Sequence, residues 1–227
     1  MKIALQMSGQ LRSFSQAHKF LKANLLDLVE CDVFLSTWSK LPSQMYDDET
    51  DVCQINIDKF KSLYNVVAHR TDVLTEDFLQ DYIDICYDGW LVPTKNVKVE
   101  YMVYGFYHKY MCNQLRLKYD VSYDAIMVVR PDLVMAEPFP IHLLPYAQDY
   151  LLIPAGSDWE YGTNDLLAVG NSDHITKYCD VFKHLKKYIK QNILVHPEHI
   201  NKFNIDDLAI PVRRFGYTTH LRARRMT

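Results

Sequence analysis

The stretch Tyr123-Asp124-Ala125-Ile126-Met127-Val128-Val129-Arg130-Pro131-Asp132 decides the fold class. Five apolar residues in a row, Ala125 to Val129, read as a buried strand. An arginine, a proline and a carboxylate follow at once. In an open α/β sheet, ligands bind beyond the carboxyl ends of the strands. Asp132 is therefore expected to face a crevice with its charge unpaired, where a divalent cation could be held against a phosphate. The alternative is that Arg130 and Asp132 simply pair at the strand end.

Upstream of this stretch, strands and helices alternate. Residues 2–7 read as a first strand and Ser8-Gly9-Gln10 as a turn. Phe14, Ala17, Leu21, Leu25 and Leu28 recur at helical spacing, giving a helix from about 13 to 29. Residues 32–38 read as a second strand, 39–54 as a polar acidic loop and 65–69 as a third strand. Thr75 followed by acids predicts a helix N-terminus, with Asp88-Gly89 as its end. A longer helix spans about 99–119, with Met102, Phe106, Tyr110, Asn113 and Leu117 on one side. This alternation predicts a single α/β domain with a mostly parallel sheet and helices on both faces.

Downstream the pattern is less regular. Residues 149–153 read as a strand stopped by Pro154, and Leu166–Val169 as either strand or helix. Ser172-Asp173 caps a helix running to about 190, and Pro197 suits the first turn of a last helix. Residues 211–215 read as an edge strand. The chain divides into a binding half, about 1–135, and a second half, about 136–227, with a basic tail.

Net charge is −3, so the whole molecule is no polyanion binder. The tail differs, with Arg213, Arg214, Arg222, Arg224, Arg225 and His220 and no acid among them. It reads as a solvated end, a segment that neutralises phosphate, or a contact with anionic lipid. Cys31, Cys53, Cys86, Cys112 and Cys179 are scattered, without C-x-x-C spacing, which argues against a disulfide framework or zinc site and suits a cytoplasmic location. No stretch approaches the ~18 apolar residues of a spanning helix.

Four constellations could carry chemistry. Ser8-Gly9-Gln10-Leu11-Arg12 lies between the first strand and helix, where backbone N–H groups favour anions. It lacks the dinucleotide and P-loop glycine patterns. Arg130-Pro131-Asp132 offers one hard-cation ligand, Asp132, with Glu137 as a weaker one. Asp158-Trp159-Glu160-Tyr161-Gly162-Thr163-Asn164-Asp165 interleaves acids and aromatics, as sugar sites do, and one carboxylate could serve as general base. The bland reading is a capped loop. His196-Pro197-Glu198-His199 is either a metal-ligating cluster or a capped helix start.

Taken in order, Met7-Ser8-Gly9-Gln10-Leu11-Arg12, Asp32-Val33-Phe34 with Thr37-Trp38, Tyr123-Asp124 leading to Arg130-Pro131-Asp132-Leu133, Asn164-Asp165 with Gly170, and His196-Pro197-Glu198 resemble small GT-A-type glycosyltransferases. Such domains occur in large algal viruses, where they decorate the capsid glycoprotein, and in bacterial surface-polysaccharide clusters. The resemblance covers roughly residues 2–217. It implies a nucleotide-diphosphate sugar donor, a UDP-sugar first among them, and a glycan or glycoprotein acceptor. It also implies Mn²⁺ or Mg²⁺ on a D-x-D-like element, with Asp132 as the ligand and Arg130 where the first acid would stand. Ser8, Gly9, Gln10, Arg12 and Arg130 would lie against the nucleotide. Asp165 would activate the acceptor, with Asp158 and Glu160 as competitors. The rival readings are a non-catalytic glycan- or protein-binding module and a metal-dependent nucleotidyltransferase.

Overall fold

A computed structural model describes residues 1–11, 13–40, 57–75, 77–89, 98–156, 158–159 and 161–221. Most of the expected acidic loop, Cys53, Arg12, Glu160 and the arginines Arg222, Arg224 and Arg225 lie outside the described residues.

The chain forms one α/β domain around a seven-stranded, mostly parallel sheet. In chain order the elements are β1 (Lys2–Ser8), α1 (Phe14–Leu21), β2 (Glu30–Lys40), α2 (Ile57–Leu63), β3 (Val66–Val73), α3 (Gln80–Tyr87), α4 (Val99–Leu117), β4 (Ala125–Val129), β5 (Leu133–Met135), β6 (Leu151–Pro154), β7 (Leu167–Gly170), α5 (Ser172–Cys179), α6 (Val181–Lys190), α7 (Pro197–Asp207), β8 (Val212–Phe215) and β9 (Thr219–Leu221). A π-helical turn over Lys22–Leu26 continues α1, and a 3-10 segment spans Ile141–Gln148. The strand order is β3-β2-β1-β4-β7-β6-β8. The pairs β3-β2, β2-β1 and β1-β4 are parallel; β7 runs antiparallel to both its neighbours.

Alternation along the strands separates the two faces. Ile3, Leu5 and Met7 of β1 pack with Val33, Leu35, Met127 and Val129, and with Phe14 and Leu21 of α1 and Phe60 of α2. Ala4, Phe34, Ile126 and Val128 point the other way, against Cys112 of α4 and Ile175 and Tyr178 of α5. Each large apolar side chain so buried contributes roughly 1.5–3 kcal/mol. Gln6 interrupts this second face. Its amide donates to Asn113 Oδ1 at 2.9 Å, and Arg116 donates to the same oxygen, so a buried polar seam fixes α4 across β1.

Several expectations change. The helix expected from Thr75 begins at Gln80, because Leu79 adopts φ 58° and breaks the turn before it. The helix expected from 172 to 190 is two helices, α5 and α6, meeting at Asp180, and Asn171 rather than Ser172 caps the first by accepting from the His174 N–H. Of the run Leu166–Val169, which could be strand or helix, Leu167 onward is strand, β7, with Leu166 outside it. Pro197 stands in the first turn of α7 as expected. The expected halves share one sheet, since β6, β7 and β8 extend it from β4. Among the described residues no helix is long and apolar enough to cross a membrane.

Candidate active site

The β1–β4 register pairs Met7 with Val129, so Ser8 and Arg130 leave the sheet side by side at its carboxyl edge. A cavity of about 290 Å³ opens there. Ser8, Gly9, Gln10, Arg130, Asp132 and Asp165 all line it, brought together from three separate stretches of sequence. Trp38 from the end of β2, the first three turns of α4 and Pro197 complete the wall.

The turn after β1 differs from an open anion cradle. Gly9 sits at φ 102°, a conformation that favours glycine, but its N–H donates to Ser36 O at 3.0 Å and so extends the β1–β2 ladder. Arg12 lies outside the described residues.

Asp132 does not stand unpaired. Arg130 Nε and Nη2 donate to its two carboxylate oxygens at 2.9 and 2.8 Å, a bidentate fork. Asp132 is buried and Arg130 half-buried. Burial works against the arginine's charge, and Asp132 outweighs it, so the guanidinium holds its proton above its ordinary value. The alternative reading at this element, a simple strand-end pair, is the geometry present. Among the described residues no group of three or more His, Cys, Asp or Glu side chains could hold a metal ion. Glu137 is turned elsewhere, accepting from the Thr218 N–H at 3.1 Å. Both Asp132 oxygens are engaged by Arg130, so Asp132 could take up a cation only by sharing or giving up that fork.

Two further wall residues escaped the sequence reading. His108 and Lys109 lie on α4, a helix buried nearly all round, and both line the cavity. His108 is fully buried, with Nδ1 2.8 Å from Ser36 Oγ and no partner for Nε2 among the described residues. Burial pushes its pKa down to about 3, so the ring is neutral. Lys109 is 6% exposed. Its ammonium donates to Tyr178 Oη at 3.3 Å and stands 4.6 Å from the centre of that ring. Burial opposes its charge, but Tyr178 and the Asp165 carboxylate outweigh burial and raise its pKa. The available signal was the spacing of Lys98, Tyr101, Met102, Gly105, His108 and Lys109, a helical stripe that carries charge and adjoins the Met102-to-Leu117 side.

The acidic aromatic loop is partly capped and partly open to the cavity. Asp158 accepts from the Asn164 N–H at 2.6 Å and from Arg214 at 2.9 and 2.8 Å, so it acts as a brace and does not line the cavity. Glu160 lies outside the described residues. None of the hydrogen bonds among the described residues ends on the Asp165 carboxylate, which is half-buried in the cavity wall. The loop is held by α7. Thr163 N–H donates to Glu198 O, the Trp159 N–H donates to Glu198 Oε2, and Trp159 stacks on His196 at 4.1 Å. His196-Pro197-Glu198-His199 is thus a helix start that anchors a loop. Burial, with lesser contributions from the Asp165 and Asp158 charges, pushes the Glu198 pKa up to about 7 against the pull of the Trp159 N–H.

The basic tail also resolves in part: Arg213 lies 3.9 Å over the Tyr146 ring, and Arg214 is the partner of Asp158. Cys31, Cys86, Cys112 and Cys179 are free and buried. No protein-family model matches the chain, and no curated protein matches it.

Proposed function

We propose that the protein is a glycosyltransferase that moves a sugar from a nucleotide-diphosphate donor to a hydroxyl of a glycan or glycoprotein. The observation that carries this reading is the convergence of Ser8, Gly9, Gln10, Arg130, Asp132 and Asp165 on one cavity at the carboxyl edge of β1 and β4. That edge is where open α/β sheets bind ligands. Tyr101, half-buried in the same wall, is an aromatic side chain of the kind that bases and sugars contact, with Trp38 and Tyr104 buried beside it.

The step is a displacement at the anomeric carbon. The bond from that carbon to the donor's diphosphate oxygen breaks, and its electron pair leaves with the diphosphate. The acceptor oxygen bonds to the carbon and gives up its proton to Asp165, the cavity carboxylate whose oxygens no described side chain occupies. Charge grows on the departing diphosphate, so fixed positive groups beside it lower the barrier.

Purified protein is to be incubated with a panel of nucleotide sugars, and nucleoside diphosphate release measured. Release supports the reading. Pyrophosphate release points to nucleotidyl transfer instead, and the absence of both release and a thermal shift with every donor removes the support for catalysis.

A further inference from the structure

We infer that the cavity is an anion site that holds the donor's diphosphate on Lys109 and Arg130, so that turnover proceeds without a divalent cation. This inference rests on the sugar-transfer reading and specifies how its leaving group is stabilised.

The sign of the wall's charge carries the argument. Among the described lining residues, Lys98, Lys109 and Arg130 stand against Asp132 and Asp165, three cations to two carboxylates. A Mg²⁺ or Mn²⁺ site needs at least one or two uncommitted carboxylates beside the substrate phosphates. This wall presents surplus positive charge, and one of its two carboxylates is already engaged on both oxygens by Arg130.

Two further features favour a phosphate. An ammonium has three N–H donors, and Lys109 directs one to Tyr178, so others are free to meet a ligand in the cavity it lines. The start of α4 also forms part of the wall, with Lys98, Tyr101 and Met102 in its first turn, and Lys98 supplies no side-chain cap. The N–H groups of Tyr101 and Met102 are spent on Lys98 O, so what this end of the 19-residue helix offers the cavity is its dipole.

His108 adds no exposed donor. It is a fully buried ring in the same wall, and its Nε2 finds no partner among the described residues. When Ser36 donates to Nδ1, the ring proton sits on Nε2. That nitrogen is wholly buried, so a ligand reaches it only if the wall shifts, and the anion site rests on Lys109 and Arg130.

The test is calorimetric titration of the full chain with inorganic pyrophosphate and with UDP and GDP, in EDTA and then in Mn²⁺. The expected result is binding in EDTA that Mn²⁺ alters by less than about threefold. Lys109→Met is expected to weaken binding about tenfold or more, and Lys109→Arg to retain most of it, circular dichroism confirming that each is folded. Binding that appears only with Mn²⁺, or no binding in either condition, overturns the inference. The wild-type comparison decides even where Lys109→Met fails to fold. The two readings fail separately: metal-free diphosphate binding without sugar transfer sinks the function and leaves the anion site, while transfer abolished by EDTA does the reverse.

Discussion

Ser36 Oγ lies 2.8 Å from Nδ1 of His108, with both residues wholly shielded from water. This contact holds a neutral imidazole at the cavity wall, and its first consequence concerns acid stability. The unfolded ring takes a proton near 6.5, whereas the native ring resists until about 3. Between these values the unfolded chain binds more protons, so stability is lost as pH falls below about 6.5. His108→Phe is expected to flatten this loss, read as a smaller difference between urea unfolding at about pH 5 and about pH 7. Ser36→Ala leaves a buried nitrogen without its partner and is expected to cost about 1–3 kcal/mol.

Glu198 produces the opposite dependence. Burial raises its native pKa to about 7 from an ordinary 4.5. Between these values the native state holds the extra proton, so this group's contribution to stability is fully present below about 4.5 and is lost as pH rises through about 7. Glu198→Gln keeps an acceptor for the Trp159 N–H and cannot ionise. The variant is expected to gain stability relative to wild type above neutrality and to show no gain in mild acid. Equal shifts at both pH values would refute the assignment.

Gly162 is a point of close approach. A Cβ there would lie 2.7 Å from Glu198 Cβ and 2.9 Å from the Glu198 carbonyl carbon. Backbone cannot swing aside as a side-chain tip can, so Gly162→Ala is expected to cost about 1–3 kcal/mol and to lever the loop off α7. Because that loop carries Asp165, sugar transfer is expected to fall while diphosphate binding persists.

Asp165 and Asp158 are expected to separate in function. Asp165→Asn removes a proton acceptor and is expected to lower kcat by about a hundredfold with donor affinity little changed. Asp158→Asn loosens the ion pair with Arg214, so its expected signature is a lower melting temperature with transfer kept at a temperature where the variant is folded. The discriminating measurement is kcat against KM for the donor. Equal losses of binding and rate in Asp165→Asn would assign that residue a structural role.

How much was legible depended on whether the deciding interaction was local. β4 is visible in the sequence because a strand in mid-sheet has no polar face, and Ala125–Val129 has none. Pro197 fixed the start of α7 through its own φ and missing N–H. The break at Asp180 was hidden because α5 and α6 bury continuous apolar faces, and no glycine or proline marks the join. The fork between Arg130 and Asp132 was one of two readings open at the strand exit, since an i, i+2 pair can meet or diverge with the local turn. His108 and Lys109 were not legible as wall residues. Their meaning depends on Gln6 and Asn113 fixing α4 across the sheet, a contact between distant segments. β5 and β9 were missed for the same reason, as each is a short run whose partner lies far along the chain.

That last pairing has a bearing on biogenesis. β9 joins β5, which begins at the residue after Asp132, through Leu133–Leu221. The parallel strands β1 to β4 can assemble as soon as the chain through Val129 is available. The segment immediately following them gains its neighbour only when residues 219–221 have left the ribosome. The central sheet can thus be acquired vectorially during synthesis, whereas the wall bearing Arg130 and Asp132 is locked in place after translation reaches β9.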